Sequence, residues 1–128
     1  MMCLVTTIAL IAAALAAVLH VGFFYLESVA FSRPATYRRF LVAGPDEAAT
    51  IRPWAFNQGF YNLFLAIGTG VGVIVFAAGE RAGGRGLIAL GCGSMLGAAL
   101  VLLASDRRMA RAAAVQGLFP LIALALLW

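Results

Sequence analysis

Four long apolar runs separated by short polar connectors make up almost the whole chain. They cover about residues 4–31, 54–78, 86–105 and 110–128. Each approaches or exceeds the ~20 residues that cross a bilayer as a helix. None carries the polar outer face that a helix of a soluble bundle needs. The first run is long enough to tilt or to project beyond the hydrocarbon. The fourth is barely long enough and ends in Trp128, a residue suited to an interface. The pattern predicts an all-α fold: a single integral membrane domain over residues 1–128, arranged as an antiparallel bundle of four transmembrane helices.

The connectors are unequal. Residues 32–53 form the longest. Pro34 closes the first helix, because the residue before a proline avoids helical geometry. Tyr37, Phe40 and Leu41 beside Arg38 and Arg39 read as a short segment resting on the membrane surface. Gly44, Pro45 and Asp46 read as a turn, and Pro53 fits the first turn of the second helix. The other two connectors, ERAGGR at 80–85 and DRRMAR at 106–111, are tight.

Composition sharpens this picture. The chain is 64% hydrophobic and 11% charged, against about 25% charged in soluble domains. A soluble fold is excluded. The net charge of +4 comes from nine arginines, with no lysine. A basic balance can point to nucleic acid, but these arginines flank apolar spans and act as topology signals instead. Arg33, Arg38, Arg39, Arg52, Arg107, Arg108 and Arg111 stand in the first and third connectors, and only Arg81 and Arg85 in the second. The positive-inside rule then places connectors 32–53 and 106–109 in the cytoplasm and both termini outside, in a cell inner membrane. The chain is apolar from its start, at Met1 or Met2, without a basic leading region, so the first span is expected to be retained and not cleaved. Cys3, Cys92 and one histidine supply neither a CxxC motif nor a metal-ligand cluster, so no cofactor is implied.

Polar side chains within the spans are few and grouped. His20 and Glu27 lie seven apart in LHVGFFYLE. α-Helical spacing puts them on one face, roughly 10 Å apart along the axis, too far for a direct hydrogen bond. Ionisable groups in a membrane are costly and usually face a protein interior or a water-filled cavity. His20 suits either a bond to a neighbouring helix or proton handling. Glu27 suits either a headgroup-level pair with Arg33 or Arg52 or a carboxylate at the mouth of a pocket. In FNQGFYN, Gln58 and Asn62 share a face and Asn57 points elsewhere. Gly59 permits close approach of a backbone or a ligand. Gln116 opens the last span in VQGLFP, where Pro120 is able to kink the helix. All of these fall toward the cytoplasmic side, which predicts a polar cup formed by His20, Glu27, Asn57, Gln58, Asn62 and Gln116. The glycines at four-residue spacing, Gly68 with Gly72 and Gly93 with Gly97, read as helix-packing positions.

The runs LHVGFFYLE, FNQGFYNLFLA and AVQGLFPLIALALL resemble the family called domain of unknown function 1304. That family's pattern has a histidine and a glutamate in the first span, an asparagine-glutamine-glycine motif opening the second, and a glutamine-glycine near the start of the last. His20, Glu27, Asn57, Gln58, Gly59, Asn62, Gln116 and Gly117 fit it, whereas Leu19 stands where members often carry an acidic residue. The resemblance implies a four-helix integral membrane protein and no established activity.

Three functions remain open on these residues. The first is binding or transport of a small amphipathic ligand in the cytoplasm-facing cup. The second is a membrane enzyme acting on a lipid or isoprenoid, with His20 and Glu27 as acid and base. The third is a non-catalytic assembly subunit. The expected partners are the lipid bilayer, a small amphipathic ligand, and a second copy or a larger membrane protein. The first function is the one the sequence favours.

Overall fold

The computed structural model describes residues 3–128, so the choice between Met1 and Met2 lies outside the described residues. Helix α1 runs Leu4–Phe24 and continues as a π turn over Tyr25–Val29. A short helix α2, Pro34–Tyr37, passes into a 3-10 turn at Arg38–Phe40. Helix α3 spans Pro45–Ala77 and α4 spans Arg81–Ser105. A 3-10 turn at Arg107–Met109 leads into α5, Ala110–Leu126. No strand occurs among the described residues.

Four helices are long and apolar enough to cross a membrane: Leu4–Val29, Pro45–Ala77, Arg81–Ser105 and Arg107–Leu126. Only 22–39% of the most apolar stretch of each is buried. Ile8, Ile11, Val18, Phe64, Ile74, Leu90 and Val101 are all exposed. Leaving such surface in water forgoes about 25 cal/mol per Å², a penalty that vanishes in hydrocarbon. Composition and exposure together describe a multi-pass membrane protein.

Two helix starts differ from the apolar pattern. Helix α3 begins at Pro45, not near Trp54, and Pro53 lies inside it instead of in its first turn. Pro45 occupies a first-turn position where its missing N–H is harmless. Asp46 and Glu47 complement the helix dipole. The Ala43 N–H donates to Glu47 Oε2 at 2.9 Å, holding the entry to the helix. These signals start the helix early, and Pro53 removes one hydrogen bond without ending it. Helix α4 likewise begins at Arg81, so the connector before it shrinks to a turn. There Gly79 takes φ +106°, the Glu80 N–H donates to the Val75 carbonyl at 3.2 Å and the Gly79 N–H to the Phe76 carbonyl at 3.1 Å. This is the glycine-terminated helix stop. Glu80 then caps α4 by accepting from the Gly83 N–H at 3.1 Å.

The chain forms two compact units, one from the residues up to Leu19 with Leu65–Trp128, the other from His20–Phe64. In the first unit, Ala9, Ala12, Ala13 and Ala16 make a buried stripe on α1, at the three- and four-residue spacing of one helix face. They join Phe76, Ile88, Cys92, Met95, Ala123 and Leu127 in one core. Helices α4 and α5 pack on each other. Arg85, near the start of α4, lies over the ring of Trp128 at 5.2 Å, so these two helices run antiparallel. Small residues set the closeness of the packing. A Cβ on Gly72 would stand 2.8 Å from Leu87 Cβ and 2.9 Å from the Ile88 nitrogen. One on Gly84 would press on the Phe76 backbone, one on Gly91 on the Thr69 hydroxyl, and one on Gly117 on Ala99 Cβ at 3.0 Å. At Gly68, Gly93 and Gly97 a Cβ would meet nothing within 4 Å.

In the second unit the residues between α1 and α3 are folded inward. Phe31, Tyr37, Val42, Ala48 and Ala55 form a core, with Phe40 and Ile51 packed against it. Tyr37 is therefore a core residue, while Arg38, Arg39 and Leu41 are exposed. Leu41 adopts the left-handed region at φ 61°, ψ 23°. That conformation costs a residue with a Cβ about 1–2 kcal/mol, whereas glycine loses roughly 0.5–1 kcal/mol through backbone freedom. Leu41→Gly is expected to raise stability in detergent by about 0.5–1 kcal/mol, read as a higher thermal midpoint.

Candidate functional site

The second unit holds the densest polar chemistry of the described chain. Its frame is the contact between the π turn of α1 and the N-terminal half of α3. Phe56, Phe60 and Phe64 stand four apart on α3. Phe60 meets Phe24 of α1 edge-on at 5.1 Å, and Phe56 and Phe64 flank it at 5.1 and 6.2 Å. Gly59 lies where the two helices touch. A Cβ there would collide with the Ser28 hydroxyl and approach the Ser28 nitrogen at 3.0 Å and the Phe24 carbonyl at 3.1 Å. The Ser28 hydroxyl donates across this contact to the Phe56 carbonyl at 2.7 Å. The close approach that Gly59 permits is thus that of a backbone. Gly59→Ala is expected to push the helices apart, break the Ser28 bond and lower stability by about 1–3 kcal/mol, measured by thermal unfolding of the purified protein.

The π turn orients Glu27. Within it the Ala30 N–H donates to the Tyr25 carbonyl at 2.9 Å, five residues back. Such wide turns are rare and are found frequently at functional sites. Glu27 is half-buried. Its Oε2 accepts a hydrogen bond from Asn62 Nδ2 at 2.7 Å, and Asn62 is itself buried. The partner of Glu27 is therefore an amide from α3, while Arg33 donates to the Tyr25 hydroxyl at 3.4 Å. A carboxyl bonded to a neutral amide has acceptor capacity left for a further partner.

Beside this pair lies an open groove of about 340 Å³. Glu27 and Gln58 supply its polar atoms, and Phe31, Phe40, Val42, Ile51, Trp54 and Ala55 its apolar wall. The α3 contribution follows helical periodicity: Ile51, Trp54, Ala55 and Gln58 are related by steps of three and four.

Of the residues singled out in the sequence, Glu27, Gln58 and Asn62 come together here. His20 is fully buried, with its ring edge-on to Phe23 at 5.1 Å, and is not part of the groove lining. Asn57 is exposed on α3, and Gln116 is half-buried in the other unit. Ser28 and the apolar wall are additions that the sequence reading missed. The three-and-four spacing running through Pro53 was the signal for the wall. Ser28 has no such signal.

A family model described as protein of unknown function (DUF1304) matches residues 14–128. No curated protein and no solved structure matches the chain.

Proposed function

Since the chain belongs to the DUF1304 family, whose description carries no activity, we propose from the groove itself that the protein binds or transports a small amphipathic ligand whose positively charged or hydrogen-bond-donating end meets Glu27 and Gln58. The apolar body of the ligand lies over Phe31, Ile51 and Trp54. The observation that carries this reading is the half-buried Glu27 carboxylate, held by the Asn62 amide at 2.7 Å on the edge of an otherwise apolar groove. A carboxyl so placed, without a cationic side chain bonded to it among the described residues, favours a ligand that brings a cationic or hydrogen-bond-donating group. Catalysis by His20 with Glu27 has no comparable support, because His20 is fully buried and does not line the groove.

The same reading places the groove at the cytoplasmic face of a cell inner membrane. Connectors 32–53 and 106–109 are cytoplasmic and both termini outside, on the strength of the seven-to-two arginine bias. Helix α3 supports a projecting mouth. At 33 residues it is on the order of 50 Å long, well beyond the ~30 Å hydrocarbon thickness. Its polar first turns, with Asp46, Glu47 and Arg52, then stand outside the lipid.

Trp54 reports directly on the groove. With Trp128→Phe it becomes the sole indole of the chain. Titration with decylamine is expected to give a saturable change in its emission, with affinity reduced about tenfold or more by Glu27→Gln. Decyl sulfate and decyl maltoside are expected to give only the weak, linear response of partitioning. An identical decylamine response in the Glu27→Gln variant defeats the proposal.

A further inference from the structure

We infer that the cationic end of the ligand is a planar guanidinium-type head, its N–H edge against Glu27 and Gln58 and its face against the Trp54 ring; this rests on the amphipathic-ligand reading above. All three residues line the groove itself. Glu27 and Gln58 are its polar lining, and each side chain carries an oxygen that accepts hydrogen bonds. Asn62 donates to Glu27 Oε2 at 2.7 Å, and a carboxyl so engaged retains acceptor capacity for an incoming donor. Trp54 is 71% exposed, so the protein leaves most of the indole uncovered. Tryptophan is the strongest aromatic partner for a cation, which it attracts within about 6 Å of the ring centroid. Phe31 and Phe40, whose rings meet at 5.7 Å, add further aromatic surface to the lining. Hydrogen-bond acceptors and an open π face therefore stand in one groove.

Cationic heads differ in how much of this lining they engage. A primary ammonium donates to Glu27 and Gln58, but it is a compact and strongly hydrated charge that loses much of its hydration on moving onto a ring. A trimethylammonium is drawn to the ring but has no N–H, and it leaves both acceptors without a donor. A guanidinium is flat, delocalised and weakly hydrated. Its N–H donors form a fork that matches a carboxyl group, and its face stacks on aromatic rings. It is the head that engages carboxyl, amide and indole together. A free alkylguanidine and the arginine side chain of a partner protein share this chemistry. The aliphatic wall of Val42, Ile51 and Ala55 favours the alkylguanidine, because a peptide would bring polar backbone groups against it.

The test is isothermal titration calorimetry of the full chain in dodecyl maltoside with decylguanidine, decylamine and decyltrimethylammonium. The common tail equalises the apolar contribution, so the ranking reads the head. Decylguanidine is expected to bind about fivefold or more tightly than either of the others. Glu27→Gln is expected to weaken decylguanidine about tenfold or more. Trp54→Leu keeps apolar bulk without a π face, and it is expected to cut the advantage of decylguanidine over decylamine to about twofold or less. Trp54 is exposed, so its replacement leaves the fold intact. An indole that only anchors the helix at the membrane interface leaves the ranking unchanged in Trp54→Leu, and that result overturns the inference. Equal affinities for the three heads overturn it, as does tightest binding of decyltrimethylammonium. Displacement of decylguanidine by an equal concentration of N-acetylarginine amide overturns it in favour of an arginine on a partner. If decylamine binds in a Glu27-dependent way while the guanidine preference is missing, this inference falls and the broader reading stands. If no head depends on Glu27, both fall.

Discussion

Gly84→Ala is expected to destabilise the protein by about 2–3 kcal/mol or more, whereas Gly86→Ala two residues on leaves it unchanged or up to ~1 kcal/mol more stable. Both glycines lie in α4, so helix propensity favours alanine equally at each. The difference is what the added methyl meets. At Gly86 there is nothing within 4 Å. At Gly84 it would stand 2.6 Å from both the Cα and the Cβ of Phe76, and closer still to the Phe76 nitrogen. No rotamer change relieves a clash with backbone, so α3 and α4 must separate at this contact. That separation also loosens the core holding Phe76, Ile88 and Cys92. Thermal unfolding of both variants in one detergent reads the contrast. Equal midpoints for Gly84→Ala and Gly86→Ala refute the packing described for this unit.

Asn62→Ala is expected to cost about 1.5–3 kcal/mol of stability, and Glu27→Gln very little. Asn62 is buried and donates to Glu27 at 2.7 Å. Its removal strips a half-buried carboxylate of its donor and leaves a gap in its place. Glutamine at position 27 still presents a carbonyl oxygen to the Asn62 N–H, so the contact survives while the charge is lost. The two variants therefore separate structure from recognition. Asn62→Ala lowers the thermal midpoint and weakens binding indirectly, whereas Glu27→Gln keeps the midpoint and loses the preference for a cation. A large drop in midpoint with Glu27→Gln means that the charge itself holds the unit together, and the groove then loses its claim to a ligand.

Much of this architecture is legible in the sequence, for one reason. Apolar runs, tight connectors and the near-absence of charge are properties of whole segments, and a bilayer imposes them segment by segment. What depends on a single hydrogen bond or a local turn is harder to read. Pro53 looks like a helix boundary, yet Pro45, the two acidic residues after it and the Glu47 bond to Ala43 start the helix earlier. The residues of 32–53 look polar and surface-bound, yet Tyr37 and Val42 are buried. Glycine spacing predicts that some helices touch, but the contacts fall where the facing side chains leave room, at Gly72, Gly84, Gly91 and Gly117. His20 and Glu27 share a face where every turn between them is an α turn, and Tyr25–Val29 is a π turn. The groove takes Glu27 without His20, which lies about two turns, roughly 10 Å, back along the axis.

Tyr25–Val29 also holds a residue more than an α turn would, and so acts as spare length. Deleting one residue from that turn lets the helix close as α while its flanks stay in phase. The same deletion elsewhere in α1 swings every later side chain round by about 100°. The first helix is thus able to shorten at one place without losing its packing, and that place carries Glu27. Chains with one residue fewer in that turn are expected to keep the fold while repositioning Glu27.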